Sequence, residues 1–289
     1  MTEIDPRPDA ATGPPPSVLS IAGSDPSGGA GIQADLKTFS ALGAYGMAAI
    51  TALTAQNTRG VSGVHVVPAA FVLDQVEAIL DDVRVDAIKL GMLANARIAR
   101  AVGEVLDRLG TGPDERGAPY VVLDPVMVAT SGDRLLDEDA AQAVRELMPR
   151  ASIVTPNLAE TAVLLDADPA TDLDGLREQA QALRAAGAHR VLAKGGHLRG
   201  GGATDVFADE HGVVDLRGRR VDARTTHGTG CTLSSALAAL RPRRGDWATT
   251  CTDAKVWLTD AIEAGPGLHI GRGEGHGPVH HFHALWGDR

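Results

Sequence analysis

Seven residues, Thr226-His-Gly-Thr-Gly-Cys-Thr232, combine the residue types from which a phosphate-holding and proton-handling turn can be built. They run directly into Leu233-Ser-Ser-Ala-Leu-Ala-Ala-Leu240, whose apolar residues recur with helical spacing. Gly228 and Gly230 allow backbone angles and close approaches that a Cβ would obstruct. The first amides of a helix have no partners within it and lie at its positive end. Such an end can hold a phosphate and stabilise charge on a migrating phosphoryl group. Cys231 in that position is expected to have a lowered pKa and to be partly thiolate near neutrality. The same residues would serve equally as a glycine turn over a buried thiol, because an unpaired cysteine is commonly a small buried hydrophobe. What separates the two readings is whether the rest of the chain supplies a substrate pocket and a nucleotide site.

Other residues could supply them. The loop Gly23-Ser-Asp-Pro-Ser-Gly-Gly-Ala-Gly31 lacks the spacing of a dinucleotide fingerprint, and no phosphate-binding Gly-x-x-x-x-Gly-Lys-Ser/Thr occurs in the chain. Beside Asp25 and Asp35 it could close over a small polar substrate, or be a plain turn. Gln56 offers an amide donor pair and an acceptor, suited to the edge of a flat heterocycle, though a satisfied strand-end amide is the simpler reading. Asn157 followed by Glu160 spells a capping box and is also compatible with Mg²⁺ nearby, held directly or through its waters. Lys194, ending an apolar run before Gly195-Gly196, could neutralise nucleotide phosphates. Asp124 before Pro125 is a turn former or a group standing behind Mg²⁺. His276, His280, His281 and His283 lack the carboxylate or thiol that would complete a metal-ligand pattern, and read as packing or as a cover near the site.

These candidates need a frame. Short apolar runs at 18–22, 48–53, 87–90, 120–124, 152–155 and 190–193 predict strands, and helical periodicity marks 69–82, 95–109, 137–148, 158–165 and 173–186 between them, with a further helix after Gly31. That alternation predicts an α/β fold with a mostly parallel sheet covered on both faces. Segments 205–208 and 213–216 predict a small antiparallel hairpin, and 110–119 an exposed loop. Ligands of open parallel sheets bind beyond the carboxyl ends of the strands, where Gly23, Gln56, Gly91-Met92, Asp124, Asn157 and Lys194 all fall. Residues 1–16, rich in proline, predict a disordered leader, and 17–289 a single domain. A net charge of −10 and 3% aromatic residues argue against a nucleic-acid surface. Cys231 and Cys251 have no metal or redox spacing, no run approaches the ~20 apolar residues of a membrane span, and a cytoplasmic protein is expected.

Taken together, Ala22–Asp35, Thr51–Thr58, Lys89–Leu93, Asp124-Pro-Val-Met127, Thr155-Pro-Asn157, Lys194-Gly-Gly-His197, Thr226–Cys231 and Gly277-Pro-Val-His-His-Phe282 closely resemble one family, in its order and over nearly everything after residue 18. It is that of the hydroxymethylpyrimidine and phosphomethylpyrimidine kinases of thiamine biosynthesis, within the ribokinase-like fold of three α/β/α layers. The resemblance implies a pyrimidine near Gly23, Asp35, Gln56 and Met92, and MgATP near Asn157, Glu160 and Lys194, with its phosphates reaching Gly228, Thr229 and Gly230 and with Asp124 and Glu160 on the metal side. It also implies that Cys231 stands where most sugar kinases of the fold carry Asp, a Cys shared with some related pyridoxal kinases. Two successive phosphoryl transfers are expected, and a homodimer. A pyridoxal kinase and a non-catalytic pyrimidine sensor are the rival readings.

Overall fold

The computed structural model describes residues 13–113, 117–127, 138–196, 198, 202–222, 224–272 and 275–286. In chain order the elements are β1 (Ser17–Ala22), α1 (Gly31–Ala41), β2 (Tyr45–Ile50), β3 (Ala52–Asn57), β4 (Gly60–Val66), α2 (Ala69–Leu80), β5 (Ala87–Leu90), α3 (Ala96–Arg108), β6 (Tyr120–Leu123) and α4 (Glu138–Leu147). There follow β7 (Ile153–Val154), α5 (Leu158–Leu165), α6 (Leu173–Ala185), β8 (Val191–Ala193), β9 (Ala203–Asp209), β10 (Gly212–Gly218), α7 (Thr229–Leu240), α8 (Trp247–Ala264) and α9 (His283–Trp286).

Strand alternation sorts side chains into two cores. Leu19 and Ile21 of β1, Val121 and Leu123 of β6 and Val191 of β8 face a cluster with Val76, Val102, Val144 and Leu183 from α2, α3, α4 and α6. Their neighbours Val18, Val122 and Leu192 face the opposite cluster, with Phe39, Leu237 and Ala254 from α1, α7 and α8. Among the described residues the sheet between them has eight strands in the order β10-β9-β8-β7-β6-β5-β1-β2. The six from β2 to β8 along that order run parallel, and β9 and β10 are antiparallel. This is the expected ribokinase-like α/β architecture with its small hairpin. Helix α7 is buried from Thr232 to Leu240, and its alanines and serines let it lie close against the sheet, α1 and α8.

One expectation needs correcting. The run 48–53 is not a single strand. The chain turns at Thr51, which is fully buried, donates its hydroxyl to the Met92 carbonyl at 2.6 Å and its amide to the Ala22 carbonyl at 3.0 Å. Beyond it β3 leaves the sheet and pairs antiparallel with β4, with an irregularity at Ala55/Gln56. Gln56 thus rides on a separate two-stranded flap instead of following a core strand. Of the proline-rich leader, residues 1–12 lie outside the described residues, and Pro16 is already part of the fold, buried and accepting the Tyr45 amide at 2.9 Å. The 110–119 segment runs irregularly where it is described; 114–116 lie outside the described residues.

Candidate active site

The carboxyl ends of β1, β5, β6, β7 and β8 and the amino end of α7 meet in one place. Gly228 begins α7 at φ +79°, a left-handed conformation suited to glycine, and a Cβ there would fall on the Gly29 carbonyl oxygen. Among the described residues no side chain caps this helix, and the Thr229 amide makes only a long 3.4 Å contact with the Thr226 carbonyl, so the first turn can offer amides to an anion. Gly230 follows. A Cβ on it would lie 3.2 Å from Lys194 Nζ and 3.8 Å from Asp124 Oδ2, so the absence of a side chain lets the α7 terminus approach both charged groups.

Lys194 is mostly buried and donates to Asp124 Oδ1 at 3.0 Å, with Glu160 Oε2 at 3.9 Å. Burial works against its charge, but Asp124 and Glu160 hold its pKa above the ordinary value. Asp124 also accepts from Thr155 Oγ1 at 3.2 Å and Ser234 Oγ at 3.2 Å. Asn157 and Glu160 complete a capping box, with the Glu160 amide donating to Asn157 Oδ1 at 3.0 Å and the Asn157 amide to Glu160 Oε2 at 2.8 Å. Burial pushes the Glu160 carboxyl up to about 7 while Lys194 opposes it and Asp124 adds to it. Asp124 balances Lys194, and Glu160, poised near neutrality, adds anionic oxygen as it ionises, the donor chemistry Mg²⁺ prefers. Because the oxygens of Asp124 and Glu160 already accept hydrogen bonds, contact through metal-bound water fits them better than direct ligation. Next in the chain, the Gly195 amide donates to Asp205 Oδ1 at 2.9 Å, fixing the loop after Lys194.

On the other side of the α7 terminus, Gly23 and Met92 touch closely enough that a Cβ on Gly23 would strike Met92 Cε. Gln56 is half-buried on the flap, its amide oxygen 3.4 Å from Thr54 Oγ1. The loop 23–31 is wound around Asp25. That carboxylate accepts from the Ser27 amide and hydroxyl, from the Gly29 and Ala30 amides, and from His227 Nε2 at 2.7 Å. Burial alone would raise the Asp25 pKa, yet His227 and Ser27 bring it down to about 2. The loop and the turn 226–231 are therefore one packed unit.

Two expectations for individual residues fail here. Cys231 is half-buried, with the Gly31 amide near its sulfur, but it is not a low-pKa thiol. Burial pushes it up to about 11; Lys89 pulls it down, and Asp35 and Asp124 push it further up. Desolvation and two nearby carboxylates outweigh the helix terminus. Asp35, expected beside the pyrimidine, has no surface open to contact it. It is fully enclosed, paired with Lys89 at 3.0 Å, and accepts from Ser20 Oγ at 2.6 Å and Ser235 Oγ at 2.7 Å. Lys89, Ser20, Ser235 and His227 were given no individual role from the sequence, although Lys89 and His227 lie within its motifs. The signal for Lys89 was present in Ala-Ile-Lys-Leu, a charge inside an apolar strand that has to find a counter-ion. In the carboxyl-terminal stretch, His281 is buried with Nε2 3.1 Å from Thr232 Oγ1, and His276 Nδ1 lies 3.1 Å from Thr226 Oγ1.

The family model described as phosphomethylpyrimidine kinase matches residues 25–280. The chain belongs to this family. The hydroxymethylpyrimidine/phosphomethylpyrimidine kinase of Salmonella typhimurium is 50% identical over 271 residues, 93% of this chain and 98% of that protein. Among solved structures, the pyridoxal kinase of Staphylococcus aureus in complex with AMP-PCP and pyridoxal is similar with a TM-score of 0.84 and 32% identity, covering 96% of this chain and 97% of that one. The phosphomethylpyrimidine kinase of Clostridium difficile is similar with a TM-score of 0.74 and 36% identity over 86% of this chain and 99% of its own. Membership makes this phosphomethylpyrimidine-kinase-family chain a nucleotide-using kinase, and the cluster at Gly228–Cys231, Lys194 and Asp124 is its candidate active site. Among the described residues no helix is long and apolar enough to cross a membrane.

Proposed function

We propose that the chain phosphorylates 4-amino-5-hydroxymethyl-2-methylpyrimidine twice with ATP, first on the alcohol and then on the resulting monophosphate, as a cytoplasmic enzyme of thiamine biosynthesis. The observation that carries this reading is the convergence on the α7 terminus of a shielded lysine-carboxylate cluster from one side and a thiol, a glycine and a methionine from the other. Phosphoryl transfer of this kind is catalysed mainly by positioning and fixed charge. Gly228, Thr229 and Gly230 hold the migrating group by their amides, and Lys194 neutralises the charge that builds on the nucleotide. Asn157 and Glu160 shape the nucleotide side. Asp124 and Glu160 would hold Mg²⁺, which when bound would supply positive charge toward the nucleotide phosphates. Gly23 and Met92 pack against the pyrimidine, and Gln56 on the flap reads its edge.

Cys231 faces the alcohol. With a pKa near 11 in the free protein it is a thiol at neutrality, so it orients the hydroxyl and only its thiolate form removes the proton. In that step sulfur takes the alcohol proton while the alcohol oxygen bonds to the γ-phosphorus and the bridging oxygen leaves with ADP. The second acceptor, a phosphate oxygen, is already anionic and needs no base. Incubation with ATP and the free alcohol should yield the monophosphate and then the diphosphate; no ATP consumption with either pyrimidine would refute the reading.

A second reading, phosphorylation of pyridoxal, is favoured by the TM-score of 0.84 to the pyridoxal kinase. Parallel turnover of the two alcohols decides between them, and the 50% identity to the pyrimidine kinase sets the expected order. We also infer one domain after residue 16 and a homodimer formed through the flap and its surroundings, where Tyr45, Leu53, Val64, Val66 and Phe71 are exposed. A monomeric mass by light scattering would refute the dimer.

A further inference from the structure

Two charges lie beneath the acceptor side, and no step above uses them. Lys89 on β5 and Asp35 on α1 are fully enclosed, with Nζ 3.0 Å from each carboxylate oxygen. Ser20 from β1 and Ser235 from α7 donate to the same carboxylate. Four elements are thereby tied to one buried pair. Such a pair is a poor source of net stability, because desolvating both charges costs about as much as their attraction returns. Its location suggests another use. Ser235 follows Cys231 by one helical turn on α7, and Asp35 follows Gly31, whose amide lies near the Cys231 sulfur, by one turn on α1. Lys89 Nζ lies under Gly91 at the strand end, 2.8 Å from where a Cβ would stand.

We propose that Lys89 is a positioning residue for the first phosphoryl transfer, a fixed cation beneath Cys231 that favours the thiolate, with Asp35, Ser20 and Ser235 holding it in place. The charged groups near Cys231 are Lys89 on β5, Asp35 on α1, Asp124 beyond β6 and Lys194 beyond β8. Lys89 favours the thiolate, whereas Asp35 and Asp124 oppose it. The two members of the pair therefore act on the sulfur with opposite signs. A merely structural strut would give the same sign for both.

The test is the rate of Cys231 alkylation by iodoacetamide against pH, without nucleotide, located by peptide mass spectrometry. Cys251, fully buried, reports on folding in the same sample. Asp35→Asn, nearly isosteric, should alkylate roughly tenfold faster at pH 8, and Lys89→Met roughly tenfold slower, about one unit of thiol pKa in each direction. The rising limb of the first transfer should move to lower pH in Asp35→Asn, and the shift should vanish when Cys231→Ala is added. Alkylation of Asp35→Asn that is unchanged or slower overturns the proposal, even if Lys89→Met fails to fold. Only the kinetic arm rests on the role given to Cys231 above; alkylation needs no turnover, so failure of that role and failure of this proposal are read separately.

Discussion

Lys89 and Lys194 are both lysines at the ends of parallel strands, each paired with an aspartate at 3.0 Å, yet they do different work. Lys89 is sealed, its carboxylate partner further occupied by two serines, and it meets no ligand. Lys194 keeps part of its side chain exposed and faces two carboxylates beside the uncapped end of α7. Glu160, raised to about 7, leaves the charge balance of the cluster open to a cation and phosphate. The contrast teaches that the ion pair itself is no mark of function. What distinguishes the two is access and charge balance: one pair is satisfied internally, the other only with ligand.

The largest expected effect falls where both sides meet. Gly228→Val places a branched side chain at φ +79° against the Gly29 carbonyl, and single-turnover rates of both transfers should fall on the order of 10³-fold. Lys194→Met should lower both transfers about 10²-fold, read in the same assay, because it removes the cation common to them. Lys89→Met sharpens the contrast: its loss should be confined to the first transfer, at about tenfold. Equal losses from the two lysine variants in both steps would erase the distinction. The smallest effect lies behind α7. Burial pushes His281 down to about 3, with Lys37, His280 and His283 adding to the shift. The unfolded chain takes up a proton near 6.5 and the folded one does not, so stability should be lost as pH falls from 6.5 toward 3. At pH 5 the loss is about 2 kcal/mol by denaturant titration, and His281→Asn should flatten that dependence.

The core strands, the hairpin and most helices were legible because apolar periodicity alone determines which face each presents. The break at Thr51 was not, since Ala48–Asn57 is one continuous strand-like run and only the hydrogen bonds of Thr51 to Ala22 and Met92 divert it. With β4 unread for its glycines, the flap carrying Gln56 stayed hidden. Gly228, Gly230, Lys194 and Asp124 were found from residue type and position at strand and helix ends, and the structure assembles them. Asp35 and Cys231 misled for a shared reason. Burial and partners distant in sequence decide both: Lys89, fifty-four positions away, pairs with the enclosed Asp35, and burial raises the Cys231 thiol.

The most direct test is Cys231→Ala followed through both transfers in single turnovers at saturating ATP. A thiol that handles the alcohol proton predicts that the first transfer slows about 10²-fold and the second by less than about tenfold. Equal slowing of the two would contradict it and leave Cys231 as packing at the end of α7.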